Sequence, residues 1–93
     1  MELLNKRVMY NVRNQDSNLK IEGDVQITGD NQIVSFSGNL FTLEDGFAGG
    51  FSYSEDTEGL ISKSVSSYPA SLDDKGMKLL DATVVALKQQ LAV

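Results

Sequence analysis

The chain has 93 residues, of which 41% are hydrophobic, and its 8 basic and 13 acidic residues give a formal net charge of −5. A chain of this length is expected to form one domain, residues 1–93, with a single core and no deep internal cavity. It contains neither cysteine nor histidine, which excludes disulfides, thiolate nucleophiles, imidazole bases and zinc sites built on nitrogen or sulfur.

A first strand is predicted over residues 6–13, because Val8, Tyr10 and Val12 recur with the period of two that a half-buried strand requires. The same N-terminal segment lacks the continuous apolar run of a signal peptide. No stretch of the chain approaches the roughly 18 apolar residues of a membrane span. We therefore expect a soluble protein with a cytoplasmic location.

The centre of the sequence predicts a long β-hairpin with strands over residues 19–28 and 32–43. A two-residue turn at Gly29-Asp30 places Val25 opposite Val34, whereas a four-residue loop from Gly29 to Gln32 moves the pairing by two residues. Both registers put the same residues on the core face, because a shift of two preserves the alternation. The apolar residues on that face are Leu19, Ile21, Val25, Ile27, Val34, Phe36 and Leu40.

The dipeptide Asp45-Gly46 predicts a tight type I′ turn into a fourth strand over residues 47–54. In that register Leu40 faces Phe51, and both lie on the core face that the hairpin already defines. Two separate turn signals therefore agree on one core face.

A fifth strand over residues 60–66 is predicted at the edge of the sheet, since Lys63 and several serines occupy positions where a central strand needs bulk. A helix follows over residues 72–91, with Ser71 as its N-cap. Leu79 is expected to be exposed on the side opposite the apolar stripe. The stripe, with spacings of three and four, consists of Met77, Leu80, Val84, Leu87 and Leu91.

Together these elements predict an α+β fold: a five-stranded antiparallel β-meander with one face covered by a single C-terminal α-helix. Gly76 flanks the apolar stripe, so we expect it to allow close packing of the helix on the sheet. No motif in the sequence identifies a family.

Several local patterns resemble catalytic or metal sites, and each has a simpler structural interpretation. Residues 54–59 have the oxygen spacing of a calcium loop, but the twelfth position is Val65 and lacks the bidentate carboxylate, so a hairpin loop is favoured. Ser17 and Lys20 have the spacing of acylating enzymes but straddle a turn and a strand. Adjacent carboxylates could serve acid-base catalysis, although solvated acids are the default. These pairs are Glu44-Asp45, Glu55-Asp56 and Asp73-Asp74.

The sheet face away from the helix is the candidate interaction surface. It is uncharged at its centre and includes a few apolar side chains, which suits docking of a partner chain or a second copy. The alternative is the ordinary solvated face of an antiparallel sheet. The candidate residues are Met9, Asn11, Gln26, Ile33, Ser35, Ser37, Asn39, Phe41 and Ser52.

The sequence therefore predicts a small non-catalytic protein-interaction module that uses the open sheet face or an edge strand. Its partner would be another protein or a second copy in a homodimer. A small-ligand binder, or an enzyme that depends on carboxylates and on Tyr10, Tyr53 or Tyr68, is the alternative. An acidic mimic of nucleic acid is a further one. No cofactor or metal binding is predicted, because no set of ligands converges in the sequence, and no membrane binding, because no stretch is apolar enough to span one. No nucleic-acid binding is predicted, because the chain is acidic and has no basic patch.

Overall fold

The computed structural model describes residues 7–29, 32–56 and 58–91. Within them, five antiparallel strands form one open sheet in chain order, and one C-terminal helix packs on its inner face. The predicted α+β fold is confirmed, and element ends differ from the prediction by at most two residues, although residue 6 lies outside the described residues. The elements are β1 Arg7–Gln15, β2 Leu19–Thr28, β3 Ile33–Thr42, β4 Phe47–Glu55, β5 Ile61–Ser67, a 3-10 turn Ala70–Leu72 and α1 Asp73–Leu91.

The β2–β3 hairpin has the register of the four-residue loop over most of its length. Val25 pairs with Phe36 and not with Val34, so the prediction of a two-residue turn at Gly29-Asp30 is wrong. Asp30 itself lies outside the described residues, and the pairing of the flanking strands decides the question. The core face is nevertheless the predicted one along most of both strands, because the two registers differ by two residues.

A β-bulge near the tip of this hairpin reverses the alternation of β3. Gln26 pairs with Ser35 while Ile27 pairs with Ile33, which leaves Val34 as the extra residue. Ile33 is consequently 0% exposed and belongs to the core, whereas Val34 is only half-buried. The predictions that Ile33 lies on the outer face and Val34 on the core face are therefore wrong.

The β3–β4 connection is a three-residue loop, residues 43–45, closed by a backbone hydrogen bond between Thr42 and Gly46, and not the predicted type I′ turn. The Thr42 N–H donates to the Gly46 carbonyl at 2.7 Å, and Asp45 adopts a φ of 69°, a left-handed conformation that Asp tolerates. Leu40 pairs with Gly49 and not with Phe51. A second bulge, at Ala48, separates this pair from the pair of Phe41 with Phe47 and directs Ala48 into the core.

The core lies between α1 and the inner face of the sheet. At its centre the Phe36 and Phe51 rings meet edge to face with their centroids 4.8 Å apart. The Phe51 ring also covers Gly23, which pairs with Gly38 across β2 and β3. The buried hydrophobic residues are Leu19, Ile21, Val25, Ile27, Ile33, Phe36, Leu40, Ala48, Phe51, Tyr53, Leu79, Leu80, Val84 and Leu87.

The helix is rotated about its axis relative to the sequence prediction. Leu79 is 1% exposed, so the prediction that it faces solvent is wrong, while Met77 is only half-buried. The polar residue that shares the buried face is Thr83, whose hydroxyl donates to the Leu79 carbonyl at 2.7 Å and accepts from Asn14 Nδ2 at 3.0 Å. Thr83 can be buried because both hydrogen bonds satisfy its hydroxyl, an environment that apolar periodicity does not reveal.

The start of the helix also differs from the prediction. Ser71 lies within the 3-10 turn Ala70–Leu72 that precedes α1, so it is not the N-cap residue of the helix. The Asp73 carboxylate accepts hydrogen bonds from the backbone N–H of Ser67, at 2.9 Å, and from the Ser67 hydroxyl. Asp73 thereby ties the end of β5 to the first turn of the helix.

Candidate functional site

The outer face of the sheet, the face away from α1, carries all but one of the predicted surface residues. Ile33 is the exception, because the β3 bulge turns it inward. The outer-face residues alternate with the core residues along each strand and are exposed or half-buried. The predicted residues that lie there are Met9, Asn11, Gln26, Ser35, Ser37, Asn39, Phe41 and Ser52.

The β1–β2 half of the outer face is charged, and most of its charges are paired. Arg13 Nε lies 3.1 Å from Glu22 Oε2, and Lys20 Nζ lies 2.6 Å from Asp45 Oδ1. Asn11 Nδ2 donates to Asp24 Oδ1 at 3.0 Å. Such exposed pairs contribute at most about 1 kcal/mol each to folding, but they leave few unsatisfied charges on this half.

The β3–β5 half of the outer face carries short, uncharged side chains, and we call it the serine field. One row runs from Ser37 on β3 through Ser52 on β4 to Ser64 on β5, and the last two hydroxyls are 2.8 Å apart. The serine field consists of Ser35, Ser37, Asn39, Gly50, Ser52, Ser54, Ser62, Ser64 and Ser66. The sequence prediction missed its β4–β5 members beyond Ser52, although alternating serines in the fifth strand were the available signal.

Three aromatic side chains, which we call the aromatic row, border the serine field at the end of the sheet that carries the β3–β4 loop. The Phe41 and Phe47 ring centroids are 6.4 Å apart, and those of Phe47 and Tyr68 are 6.3 Å apart. Phe47 is 59% and Tyr68 67% exposed. The sequence prediction named Phe41 but missed Phe47, because the Ala48 bulge moves Phe47 from the core parity to the outer face.

Glu55, one of the predicted candidate acids, belongs to a buried structural network. Its Oε2 accepts from the Tyr53 hydroxyl at 2.7 Å and from Lys88 Nζ at 2.5 Å, and its Oε1 accepts from the Ile33 backbone N–H at 3.0 Å. Burial alone would raise the pKa of Glu55, but these hydrogen bonds lower it below its ordinary value. Burial, followed by the bond to Glu55, raises the pKa of the Tyr53 hydroxyl. Neither group is free for acid-base chemistry.

Other candidate residues also make local contacts. Asp56 Oδ1 accepts from the N–H groups of Glu58, at 2.9 Å, and Leu60, at 2.8 Å, and so shapes the β4–β5 loop. Lys20, a member of the suspected acylation pair, binds Asp45 across the sheet. Among the described residues, no group of three or more Asp and Glu side chains converges to hold a metal ion.

Comparison of the chain with protein-family models, with curated proteins and with solved structures gives no match. The described part of the chain contains no helix that is both long enough and apolar enough to cross a membrane. A function can therefore be inferred only from the surfaces of this chain.

Proposed function

We propose that the protein is a non-catalytic protein-interaction module that binds a second copy of itself through the outer face of the sheet. The observation that carries the proposal is the aromatic row, in which Phe47 and Tyr68 are exposed and Phe41 is half-buried. It lies beside three strands without charged outer side chains. Aromatic side chains dominate the energetics of protein interfaces, and a contiguous exposed group of them on a folded domain marks an interaction site. Serine and asparagine around such anchors supply adaptable hydrogen bonds.

The charge of the outer face favours a second copy as the partner. Three basic and two acidic side chains lie on its strands, so the face is nearly neutral although the chain carries a net charge of −5. Two copies would therefore repel one another least when their outer faces meet. The charged residues on the outer-face strands are Arg7, Arg13, Lys20, Glu22 and Asp24.

The size of the face also suits a dimer. Five strands at about 4.8 Å spacing and about 30 Å in length give roughly 700 Å², close to the roughly 800 Å² that each partner buries in a standard interface. A two-fold axis needs only one self-complementary patch, and it closes the assembly at two copies.

The β5 edge is a weaker candidate than the face. Lys63 lies on the inner parity of this edge strand and forms an ion pair with Asp81 at 2.7 Å. An inward-pointing charge on an edge strand discourages pairing with another chain, because the added strand would have to desolvate it.

Sedimentation velocity with two matched tyrosine variants tests this proposal. We expect a concentration-dependent dimer in the wild type, and Tyr68→Glu should raise the monomer fraction because it places a charge in the aromatic row. Phe41→Lys should do the same. Tyr10→Glu is the control, since Tyr10 is 48% exposed on the opposite face of the sheet. A wild type that stays monomeric at about 300 μM, or a dimer that Tyr10→Glu disrupts equally, would contradict the proposal.

A cytoplasmic location is part of the proposal, and the cysteine-free composition agrees with a reducing compartment. Cell fractionation tests it, because recovery of the protein outside the cytoplasmic fraction would exclude this location.

A further inference from the structure

The two edge strands of the sheet differ in how they are protected. On β5 the inner side chains include Lys63, which is paired with Asp81. On β1 the inner side chains Val8, Tyr10 and Val12 carry no charge. Within the part of the chain that the structure describes, β1 also contains no proline and has β2 as its only neighbouring strand. The device that discourages pairing at β5 is therefore missing at β1.

A groove runs beside β1 on the inner face of the sheet. The helix packs over β2 and β5 and makes few contacts with β1, where the Asn14 amide donates to the Thr83 hydroxyl at 3.0 Å. The groove has a volume of about 410 Å³ and is lined by Tyr10 and Val12 on the strand side and by Leu87 and Ala86 on the helix side, among others. Asn14, Thr83 and Gln90 add polar groups to the lining, so the groove is mixed in character, and it lies beside the open edge strand.

We propose that this groove and the β1 edge bind an extended peptide segment of a partner protein by strand addition. The backbone of the added segment would pair with the N–H and C=O groups of β1 that point away from β2, and its alternate side chains would enter the groove beside α1. This site lies apart from the outer face, so the inference does not depend on the proposed dimer.

The side chains of β1 define the chemistry of that segment. Opposite Tyr10 and Val12 the segment needs apolar side chains, because both residues line the groove. Val8 continues the same uncharged inner face of β1, so an apolar residue is expected opposite it as well. On the outer face of β1, Arg7 and Arg13 are both exposed, and β1 contains no acidic residue. Arg13 already forms an exposed ion pair with Glu22, and an acidic side chain on the added strand would share this guanidinium. Cross-strand neighbours of opposite charge stabilise a pair of strands. The structure therefore selects a seven-residue pattern with an acidic residue at each end and apolar residues at positions two, four and six. The pattern is the same in both strand directions.

The probe is a fluorescein-labelled peptide, Glu-Val-Ser-Val-Ser-Val-Glu, titrated with the full chain and followed by fluorescence anisotropy. We expect saturable binding with a Kd below about 1 mM. Tyr10→Glu should weaken binding at least about tenfold because it places a charge in the groove, while Tyr68→Glu should bind like the wild type. A peptide N-methylated on the amides that face β1 should not bind, because strand addition requires its backbone donors.

A charge exchange provides a second variant that should still fold, since Arg7 and Arg13 are exposed and the lost Arg13–Glu22 ion pair contributes at most about 1 kcal/mol. The double variant Arg7→Glu, Arg13→Glu should bind the acidic peptide more weakly than the wild type and should regain affinity for a peptide with lysine at both ends.

Three outcomes would overturn the inference. The first is no binding of the acidic peptide by the wild type at about 1 mM, and the second is equal binding of the N-methylated peptide. The third is a dimer that Tyr10→Glu, and not Tyr68→Glu, dissociates in sedimentation, because a second copy would then occupy the β1 edge. Failure of the outer-face dimer, with peptide binding intact, would leave this inference standing.

Discussion

Gly76 is buried where α1 meets the side chains of β3 and β5. A Cβ at this position would lie 2.9 Å from Leu40 Cδ1 and 2.9 Å from Val65 Cγ1. Leu40 is fully buried and the β-branched Val65 is stiff, so neither methyl group can retreat without strain. This contact supports the prediction that Gly76 serves packing.

We expect Gly76→Ala to destabilise the fold by about 1 kcal/mol, because overpacking costs about 1–3 kcal/mol and the higher helix propensity of alanine recovers only about 0.5–1 kcal/mol. The urea midpoint of unfolding should fall. In a Val65→Ala background, where one of the two opposing methyl groups is gone, the same change should cost less. A midpoint that rises in the wild-type background would show that the helix is placed differently on the sheet.

Glu55 should make stability depend on pH below neutrality. Its side chain is 9% exposed and accepts from Tyr53, Lys88 and the Ile33 N–H, and its folded-state pKa lies below the ordinary value of 4.5. The stabilisation from ionised Glu55 is therefore complete above that value and is lost as the pH falls through the lowered pKa.

Glu55→Gln should cost about 1.5–3 kcal/mol at pH 7, the range for hydrogen bonds to a charged group. The difference in urea midpoint between wild type and variant should narrow steadily as the pH falls below 4.5. Glu44→Gln, in the exposed β3–β4 loop, is the control and should have little effect at any pH. A Glu55→Gln deficit that is independent of pH would mean that lost packing, and not lost charge, explains the cost.

At the scale of the elements, the two bulges explain the errors in the predicted surface. The period of two places Ile33 outside and gives Phe47 the parity of the core residue Phe51. Each bulge inserts one residue and exchanges the faces locally. Each of these residues has an apolar neighbour, Val34 beside Ile33 and Ala48 beside Phe47, and alternation alone does not decide which of the two is buried. Hydropathy therefore does not show which residue of each pair enters the core.

The rotation of the helix has a similar cause. Apolar spacing fits a stripe through Met77, but the buried face observed includes Gly76 and Thr83, neither of which contributes to an apolar count. Gly76 is buried because it brings the helix close to the sheet, and Thr83 because its hydroxyl is satisfied on both sides. Leu79 lies between Gly76 and Thr83 on the same side of the helix, so this orientation of the helix buries it in the core.

We expect Leu79→Ala to destabilise the protein by about 2–4 kcal/mol, since it empties a fully buried site. Val85→Ala, a comparable truncation on the exposed side of α1, should stay within about 0.5 kcal/mol of the wild type. Urea unfolding of both variants measures the difference. Equal effects would mean that Leu79 is not the buried residue and that the predicted helix orientation was correct.

At the scale of the whole molecule, the sequence predicts the architecture better than the site. The sheet and its covered face follow from alternation that holds over whole strands, and an error of two residues in register leaves the faces unchanged. The aromatic row depends instead on Phe47 and Tyr68, one placed by a bulge and the other by the chain leaving β5. Such local departures from regular structure cannot be derived from periodicity.

Folding of the whole chain should not require a metal ion. The segment with a calcium-like spacing, residues 54–59, begins at the end of β4, and two of its carboxylates have protein partners. Glu55 binds Tyr53 and Lys88, and Asp56 binds the backbone N–H groups of its own loop. A cation there would have to displace these bonds, and Val65 stands where a calcium loop has its bidentate glutamate.

We therefore expect the melting temperature to change by less than about 1 °C when excess EDTA is added, and again when calcium is restored, because a ligand that binds the folded state tightly would raise it by several degrees. Asp56→Asn is the matched variant. It retains a side-chain oxygen for the loop N–H groups but removes a charge that a calcium site would need. A clear drop with EDTA that calcium reverses in the wild type, but not in Asp56→Asn, would identify this loop as a metal site. The bonds described for Asp56 would then belong to the metal-free state.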